Sequence, residues 1–376
     1  MQEYYRDTWA EIDLDAITHN VKEIKRLHPT KEIFAVVKAN GYGHGDAEVS
    51  KAAIEAGVSC LAVSGLDEAL RLRQSGIEVP ILVLGMTRLN DVELAAKNNI
   101  SLTAHDAYWI EQLVALPLTS TIKVHLKIDS GMHRLGLMDK EQVEINFNKL
   151  EDAPMVEVEG IFTHMATADS DVDYLAYQVQ CFQHLITNLD LSHVPYIHLE
   201  NTATLLQKAF EFDHGIRLGL GLYGINPDDE FIPLDFELKP ALRLFSNLVQ
   251  VKQIKKGDKV GYGATYKAQD DEWIGVVPIG YADGWIRAHQ GRCVIVDSYE
   301  CEIIGRICMD QLMIRLPKPF PMGTIVTLIG EGMPVERVAH EIGTISYEIL
   351  CLISDRVPRV YKKDGKIVAV KKMRFE

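Results

Sequence analysis

The chain has 376 residues, 47% of them hydrophobic and 24% charged, with a mean hydropathy of −0.01 and a net charge of −14. That charge argues against nucleic acid or an anionic membrane surface as the main partner, although a local basic pocket for a phosphate stays open. The length exceeds most single cores and predicts two domains, and no stretch approaches the ~20 apolar residues that span a bilayer. Six cysteines (Cys60, Cys181, Cys293, Cys301, Cys308, Cys351) form no C-x-x-C pair and no zinc-spaced cluster with histidine. They read as reduced, buried thiols. With no apolar leader in Met1-Gln2-Glu3-Tyr4-Tyr5-Arg6-Asp7, the expectation is a cytoplasmic protein without a bound metal.

In chain order, short apolar runs at 34–40, 60–65, 81–85, 102–104, 124–129, 158–164, 196–201 and 215–224 alternate with amphipathic segments. One such segment puts Val172, Leu175, Val179, Phe182 and Ile186 on a single helical face. Near residue 235 the rhythm changes to short β-rich stretches at 242–254, 273–279, 293–296, 302–307, 312–316 and 325–329, with a short helix at 335–341. Asp364-Gly365 predicts a closing hairpin turn, and the charged end after it a solvated edge strand. The predicted fold class is α/β. An N-terminal (β/α)8 TIM-like barrel occupies 1–235, and a mostly-β C-terminal domain occupies 236–376, with the first residues available to pair with the β domain.

The most informative run is Ala35-Val36-Val37-Lys38-Ala39-Asn40-Gly41-Tyr42-Gly43-His44-Gly45. It predicts a buried parallel strand that delivers one amine to a barrel mouth, where barrel chemistry sits. A lysine there is otherwise a solvated surface group. Gly41, Gly43 and Gly45 offer backbone amides to an anion, and Asp46 is placed to cap the next helix. An amine beside a phosphate cradle suits pyridoxal 5'-phosphate (PLP), with Lys38 as its covalent anchor. The run closely resembles the PLP-lysine signature of the alanine racemase family.

Further segments carry the same resemblance. Lys127-Ile128-Asp129-Ser130-Gly131-Met132-His133-Arg134-Leu135-Gly136 resembles the family's Lys-x-Asp-(Thr/Ser)-Gly-Met-x-Arg-Leu-Gly motif. Read alone, Arg134 is a turn arginine or a bidentate clamp for an oxyanion. The resemblance implies that it reaches the cofactor ring oxygen and the substrate carboxylate. It also implies that Lys127 occupies a position often carbamylated, and that His164 supports the arginine beneath the cofactor. By the same resemblance Tyr42 belongs to the cofactor site, and Asn201, Thr202, Gly219 and Leu220 to the phosphate end, where barrels commonly bind phosphate.

Arg217 would face the pyridine nitrogen. An arginine there disfavours ring protonation, which discourages transamination and leaves proton exchange at Cα. The second base would be Tyr262, in Val260-Gly261-Tyr262-Gly263-Ala264-Thr265-Tyr266, where Gly261 replaces the family's usual serine. Read alone, Tyr262 is a packing residue of the β domain. The family draws this tyrosine from the partner chain, which implies a homodimer with shared active sites. Tyr281 and Asp310 would line the entrance, and the Met309 backbone would border the substrate carboxylate.

One position departs from the family. Asp355, in Ile353-Ser354-Asp355-Arg356-Val357-Pro358-Arg359, stands where many members carry a gate tyrosine. A carboxylate beside a phosphate is unfavourable, so Asp355 is expected to pair with an arginine or to point into a roomier, more polar entrance that admits serine. The resemblance covers essentially the whole chain and implies interconversion of L- and D-alanine. Alternatives are a broader or serine-preferring racemase, a decarboxylase on a similar barrel (against which Arg217 speaks), and a non-catalytic PLP carrier (against which the second domain speaks).

Overall fold

The structure is a computed structural model that describes residues 4–207, 210–228 and 230–372. Residues 16–41 with 46–239 form one compact unit. The described parts of 1–15, 42–45 and 240–376 form a second.

The chain opens on strand β1 (Thr8–Asp13), which belongs to the second unit. The first unit is a closed, all-parallel barrel of β2 (Glu32–Val36), β3 (Cys60–Val63), β4 (Ile81–Val83), β5 (Ile100–Ala104), β6 (Ile122–Lys127), β7 (Val156–Phe162), β8 (Tyr196–Glu200) and β9 (Gly215–Leu218). All eight expected strands form. Each is covered on both faces, which is why the runs are near-continuously apolar. Polar residues nevertheless interrupt them: His125, Lys127, Glu159, His198, Glu200 and Arg217 are all buried.

Seven of the eight expected runs leave the sheet before their expected end, most markedly at 34–40 and 215–224. The run at 34–40 leaves the sheet after Val36, and Ala39, Asn40, Gly41 and Tyr42 all adopt positive φ (52°, 54°, 61° and 48°). For L-residues this left-handed conformation costs about 1–2 kcal/mol each, so Lys38 is followed by a strained turn rather than by more strand. The run at 215–224 ends at Leu218 and becomes a 3₁₀ turn, Leu220–Tyr223, closed by Gly224 at φ 81°. In helix Val172–Ile186 the buried face is Leu175, Val179, Phe182 and Leu185. Val172, expected on that face, is 56% exposed because it sits in the first turn beside the N-cap Asp171. Asp46 is the first residue of helix Asp46–Glu55; its Oδ1 accepts from Ala47 N at 2.9 Å and its carboxylate meets Arg71 at 2.6 Å.

The second unit holds a ten-stranded sheet. Its members are β1, β10 (Leu242–Asn247), β11 (Gln250–Ile254), β14 (Glu272–Val277), β15 (Cys293–Val296), β16 (Tyr299–Ile304), β17 (Leu312–Leu316), β18 (Ile325–Ile329), β19 (Arg359–Lys363) and β20 (Lys366–Lys371); β12 (Lys259–Val260) and β13 (Tyr266–Lys267) pair separately. The order is β11-β14-β17-β16-β15-β18-β10-β1-β19-β20. β1 lies antiparallel to β10 and parallel to β19. The stretch expected at 242–254 is two strands, and a second helix, Ser346–Leu352, follows the expected one at Val335–Glu341. Asp364 and Gly365 both take positive φ and close the β19–β20 hairpin, leaving β20 as an exposed edge. Residues 373–376 lie outside the described part.

Gly43 and Gly45 prove to be close-approach positions. A Cβ on Gly43 would overlap the Leu350 carbonyl, and one on Gly45 the Tyr361 hydroxyl. Cys60 and Cys301 are buried as expected, whereas Cys351 is exposed at the end of its helix.

A charged cluster closes one flank of the barrel. Lys31 Nζ lies 2.7 Å from Glu200 and 2.5 Å from Asp213, and both carboxylate side chains are fully buried. One cation cannot neutralise two buried carboxylates, so a proton is retained. Burial and the neighbouring Glu200 push Asp213 up to about 6. A folded-state pKa above the unfolded value means that this group's contribution is full below about pH 4 and declines as pH rises through 6. We therefore expect wild-type urea stability to fall by up to about 3 kcal/mol from this site between pH 4 and 7, and Asp213→Asn to remove that decline. Parallel pH profiles for the two proteins would count against the shared proton.

Candidate active site

In the barrel unit the candidate residues gather at the C-terminal ends of the strands. Lys38 is two residues past β2, partly buried, at the start of the left-handed turn. Lys127 ends β6, is 6% exposed, donates from Nζ to the Ile128 carbonyl at 3.0 Å and lies 4.9 Å from the Phe162 ring centre. Burial first, and then the charge of Arg217, hold its amine well below the usual lysine range, with Asp129 opposing and Arg134 assisting. A buried neutral amine is nucleophilic, which is what carbamylation requires.

Arg134 follows in a loop organised by Asp129, whose carboxylate accepts from the amides of Gly131 (3.0 Å), His133 (2.9 Å) and Arg134 (3.0 Å). Burial would raise this carboxyl, but the three amides and Lys127 outweigh it and leave it below the ordinary range. The Arg134 side chain is exposed.

Arg217 is the electrostatic centre. It extends from β9 and is 3% exposed. Nη1 donates to His198 Nδ1 (2.8 Å) and to the His198 carbonyl (2.9 Å). Nη2 donates to the carbonyls of Thr163 (2.8 Å) and Leu199 (2.9 Å), and to His164 Nδ1 (3.3 Å). Burial lowers the guanidinium to about 10, so it stays charged at neutral pH. Its Nε–H has no partner among the described residues, so one donor remains for a lone pair such as that of a ring nitrogen. His164 and His198 are held well below the usual histidine range, first by burial and then by Arg217. Both are neutral acceptors towards the arginine.

At the end of β8, Asn201 caps the helix Thr202–Gln207: its Oδ1 accepts from Thr204 N (3.1 Å) and Thr204 Oγ1 (2.9 Å). Thr202 Oγ1 accepts from Gly219 N at 2.9 Å, which ties that helix to the 3₁₀ turn after β9. Leu220 opens that turn, where amides lack intrahelical acceptors. The start of the helix after β8 and the turn after β9 are thus joined through the Thr202 hydroxyl, and helix starts suit an anion. Gly41 N donates to the Val37 carbonyl, and Gly43 and Gly45 are packed against backbone and Tyr361.

The other candidates lie in the second unit. Tyr42 is buried, at 5.7 Å between ring centres from Tyr347, with its phenol pushed upward by burial. Tyr262 is 72% exposed on a 3₁₀ turn whose flanking Gly261 and Gly263 both have φ 73°. At Gly261 ψ is −176°, a conformation open in practice only to glycine. Gly263 packs against the Arg306 guanidinium. Tyr281 N donates to Cys308 O (3.1 Å), Ala282 N to Met309 O (3.0 Å) and Ser354 N to Asp283 O (3.1 Å). These bonds hold the turns bearing Tyr281, Met309, Asp310 and Asp355 together. Asp310 meets Arg356 at 2.7 Å. Asp355 is 79% exposed and 3.8 Å from Arg359, a long contact with the arginine that braces the carbonyls of Ile353, Ser354 and Val357.

Three residues without an expected role contact this machinery: His198 on Arg217, and His125 and Glu159 behind it. The available signal was a polar residue inside an otherwise buried strand, as in Val124-His125-Leu126-Lys127 and Tyr196-Ile197-His198-Leu199-Glu200.

Comparison with known proteins agrees with this arrangement. Residues 12–227 match the family model "Alanine racemase, N-terminal domain", and 241–361 match "Alanine racemase, C-terminal domain". The chain is 48% identical to the alanine racemase of Geobacillus kaustophilus over 99% of its own length and 98% of the relative's. It is similar to the crystal structure of alanine racemase from Bacillus anthracis with bound L-Ala-P (TM-score 0.94, 44% identity, 98% of both chains covered). It is also similar to alanine racemase from E. faecalis (TM-score 0.92, 41% identity, 96% of this chain and 99% of that one). With both domains matched in order and identity near one half over the full length, this chain belongs to the alanine racemase family.

Proposed function

We propose that this chain is a PLP-dependent, homodimeric isomerase that interconverts L- and D-alanine in the cytoplasm and supplies D-alanine for peptidoglycan. The single observation that carries the mechanism is Arg217. A buried, charged guanidinium with one uncommitted N–H would face the ring nitrogen, where an electron-withdrawing site would need a carboxylate. The residues present fit PLP. Lys38 would anchor it, Thr202 with the amides of Gly219 and Leu220 would hold its phosphate, Arg217 its ring nitrogen and Arg134 its ring oxygen, with Tyr42 and Asn201 supporting and His164 steadying Arg217. Bound there, the cofactor supplies an electron sink that acidifies the Cα–H of an amino acid.

The chain supplies the rest. Arg134 and the Met309 backbone would orient the substrate carboxylate. Lys38 Nζ and Tyr262 Oη would stand on opposite faces of Cα: one takes the proton as the other returns one, so the reaction is proton-neutral. Tyr281, Asp310 and Asp355 would border the entrance. A carbamate on Lys127 would replace a buried amine by an anion able to accept from Arg134.

Exchange in D₂O tests the reading: L-alanine should gain Cα deuterium and lose chirality, and bound cofactor without exchange would overturn it. Lys38→Ala and Tyr262→Phe should each lower kcat by about 10²–10⁴-fold. If each site draws Lys38 from one chain and Tyr262 from its partner, mixing the two inactive variants should restore activity at one site per heterodimer. No recovery after verified subunit exchange would place both bases on one chain. Protein equilibrated with ¹³C-bicarbonate should show one carbamate carbon that Lys127→Met abolishes; identical spectra would remove the modification.

The 79% exposure of the Asp355 carboxylate favours a second reading, a racemase that also accepts serine. Asp355→Tyr should then lower the serine-to-alanine ratio of kcat/KM by about tenfold, the scale of one pocket contact. An unchanged ratio would leave alanine alone.

A further inference from the structure

Behind Arg217 a hydrogen-bonded line runs through the barrel interior. His198 Nδ1 lies 2.8 Å from Arg217, His198 Nε2 lies 2.9 Å from His125 Nδ1, and His125 Nε2 lies 3.3 Å from Glu159 Oε2. Glu159 also accepts from Ser101 Oγ (2.5 Å) and Lys123 Nζ (2.8 Å). Each proton position follows from its neighbour. Arginine only donates, so His198 Nδ1 carries a lone pair and a neutral His198 carries its hydrogen on Nε2. That hydrogen needs an acceptor, so His125 Nδ1 is bare and His125 carries its hydrogen on Nε2, directed at Glu159. A second proton on either ring would set N–H against N–H. Glu159, facing donors only, is ionised, and its pKa is pulled down to about 2 although burial opposes this.

The barrel is distorted to build this line. Val158 opposes Val124 and Gly160 opposes His125, so Glu159 is the extra residue of a bulge on β7. His198 opposes Gly215 and Glu200 opposes Ile216, so Leu199, whose carbonyl accepts from Arg217, is the extra residue on β8. Bulges are uncommon in parallel strands and re-aim side chains near sites. A Cβ on Gly160 would overlap the His125 ring, so glycine alone leaves room for the imidazole pair. His198 is clamped between Phe34 (ring centres 4.9 Å, planes 13° apart) and Phe162 (4.7 Å, 4°).

We propose that Glu159, His125 and His198 form a one-way hydrogen-bond relay that positions Arg217 and sustains its charge, making Glu159 a positioning residue for the reaction. The proposal rests on the racemase reading only in that Arg217 serves the cofactor ring. Lys123 sits on the other carboxylate oxygen, outside the relay.

The test is selective ¹⁵N-histidine labelling of the protein with and without cofactor, assigned from single His→Gln variants, together with steady-state kinetics. In the wild type, His125 and His198 should each carry hydrogen on Nε2 alone. Glu159→Leu removes the terminal acceptor and should give mixed tautomers at His125, with kcat lowered about tenfold and KM changed less than twofold, the scale of an outer supporting partner. Glu159→Gln keeps an acceptor oxygen without the charge. It should retain the tautomers yet lower kcat, and it serves should Glu159→Leu not fold. Lys123→Met should leave both signals and kcat at wild type. Hydrogen on His198 Nδ1, or on both its nitrogens, overturns the relay. So does a Glu159 variant with unchanged tautomers and kcat, or equal effects of Lys123→Met and Glu159→Leu. The ¹⁵N pattern is read without turnover, so an intact relay in a protein that racemises nothing would overturn the function and spare the relay.

Discussion

The barrel depends on solvating one buried guanidinium. Taking an ion the size of Arg217 out of water costs several kcal/mol even after relaxation, and no carboxylate among the described residues touches it. Three backbone carbonyls and two imidazole lone pairs do instead, so the charge is stabilised without being cancelled. The nearest acids, Asp213 and Glu200, act on it at a distance while committed to Lys31. Its positive field then helps to set the state of its neighbours: His164, His198 and Lys127 are pushed towards neutrality, first by burial and then by this charge. A site with a fixed cation and neutral surroundings suits proton exchange better than chemistry that needs a protonated ring.

The second unit achieves placement by steric exclusion. Gly280 leaves no room for a Cβ beside the Cys308 and Met309 carbonyls, nor does Gly284 beside Leu352, so the turns bearing Tyr281, Met309 and Asp355 interlock through bare backbone. Gly261 and Gly263 shape the Tyr262 turn in the same way. The left-handed turn at 39–42 is the barrel unit's counterpart, and only one of its four residues is glycine. Strain of that size persists where surrounding contacts over-determine it. Here it begins one residue after Lys38.

The barrel was legible because parallel strands buried on both faces must be largely apolar, and all eight runs are, apart from a few polar residues such as His125, Glu159, His198 and Arg217. The motif residues were legible because Lys38, Lys127 and Arg134 lie at or beyond strand ends, where a charged residue after an apolar run stands out, and because Arg217 is a charge inside a buried strand. Val172 was misread because periodicity alone does not say where a helix begins. The glycines at 41, 43 and 45 show a second limit. Glycine in a sequence does not distinguish an amide left open from a backbone pressed against another, and at Gly43 and Gly45 the second is true.

The sequence by itself therefore determined the architecture, the family and the identity of the groups at the strand ends. Their distances are long along the chain but their local patterns are short and self-contained. Tertiary structure alone decided what surrounds Arg217. His198, His125 and Glu159 come from three strands and meet only because two bulges shift the register and Gly160 yields space to a ring. No spacing rule encodes that meeting, because a polar residue inside a buried strand reveals its partner only when the barrel closes.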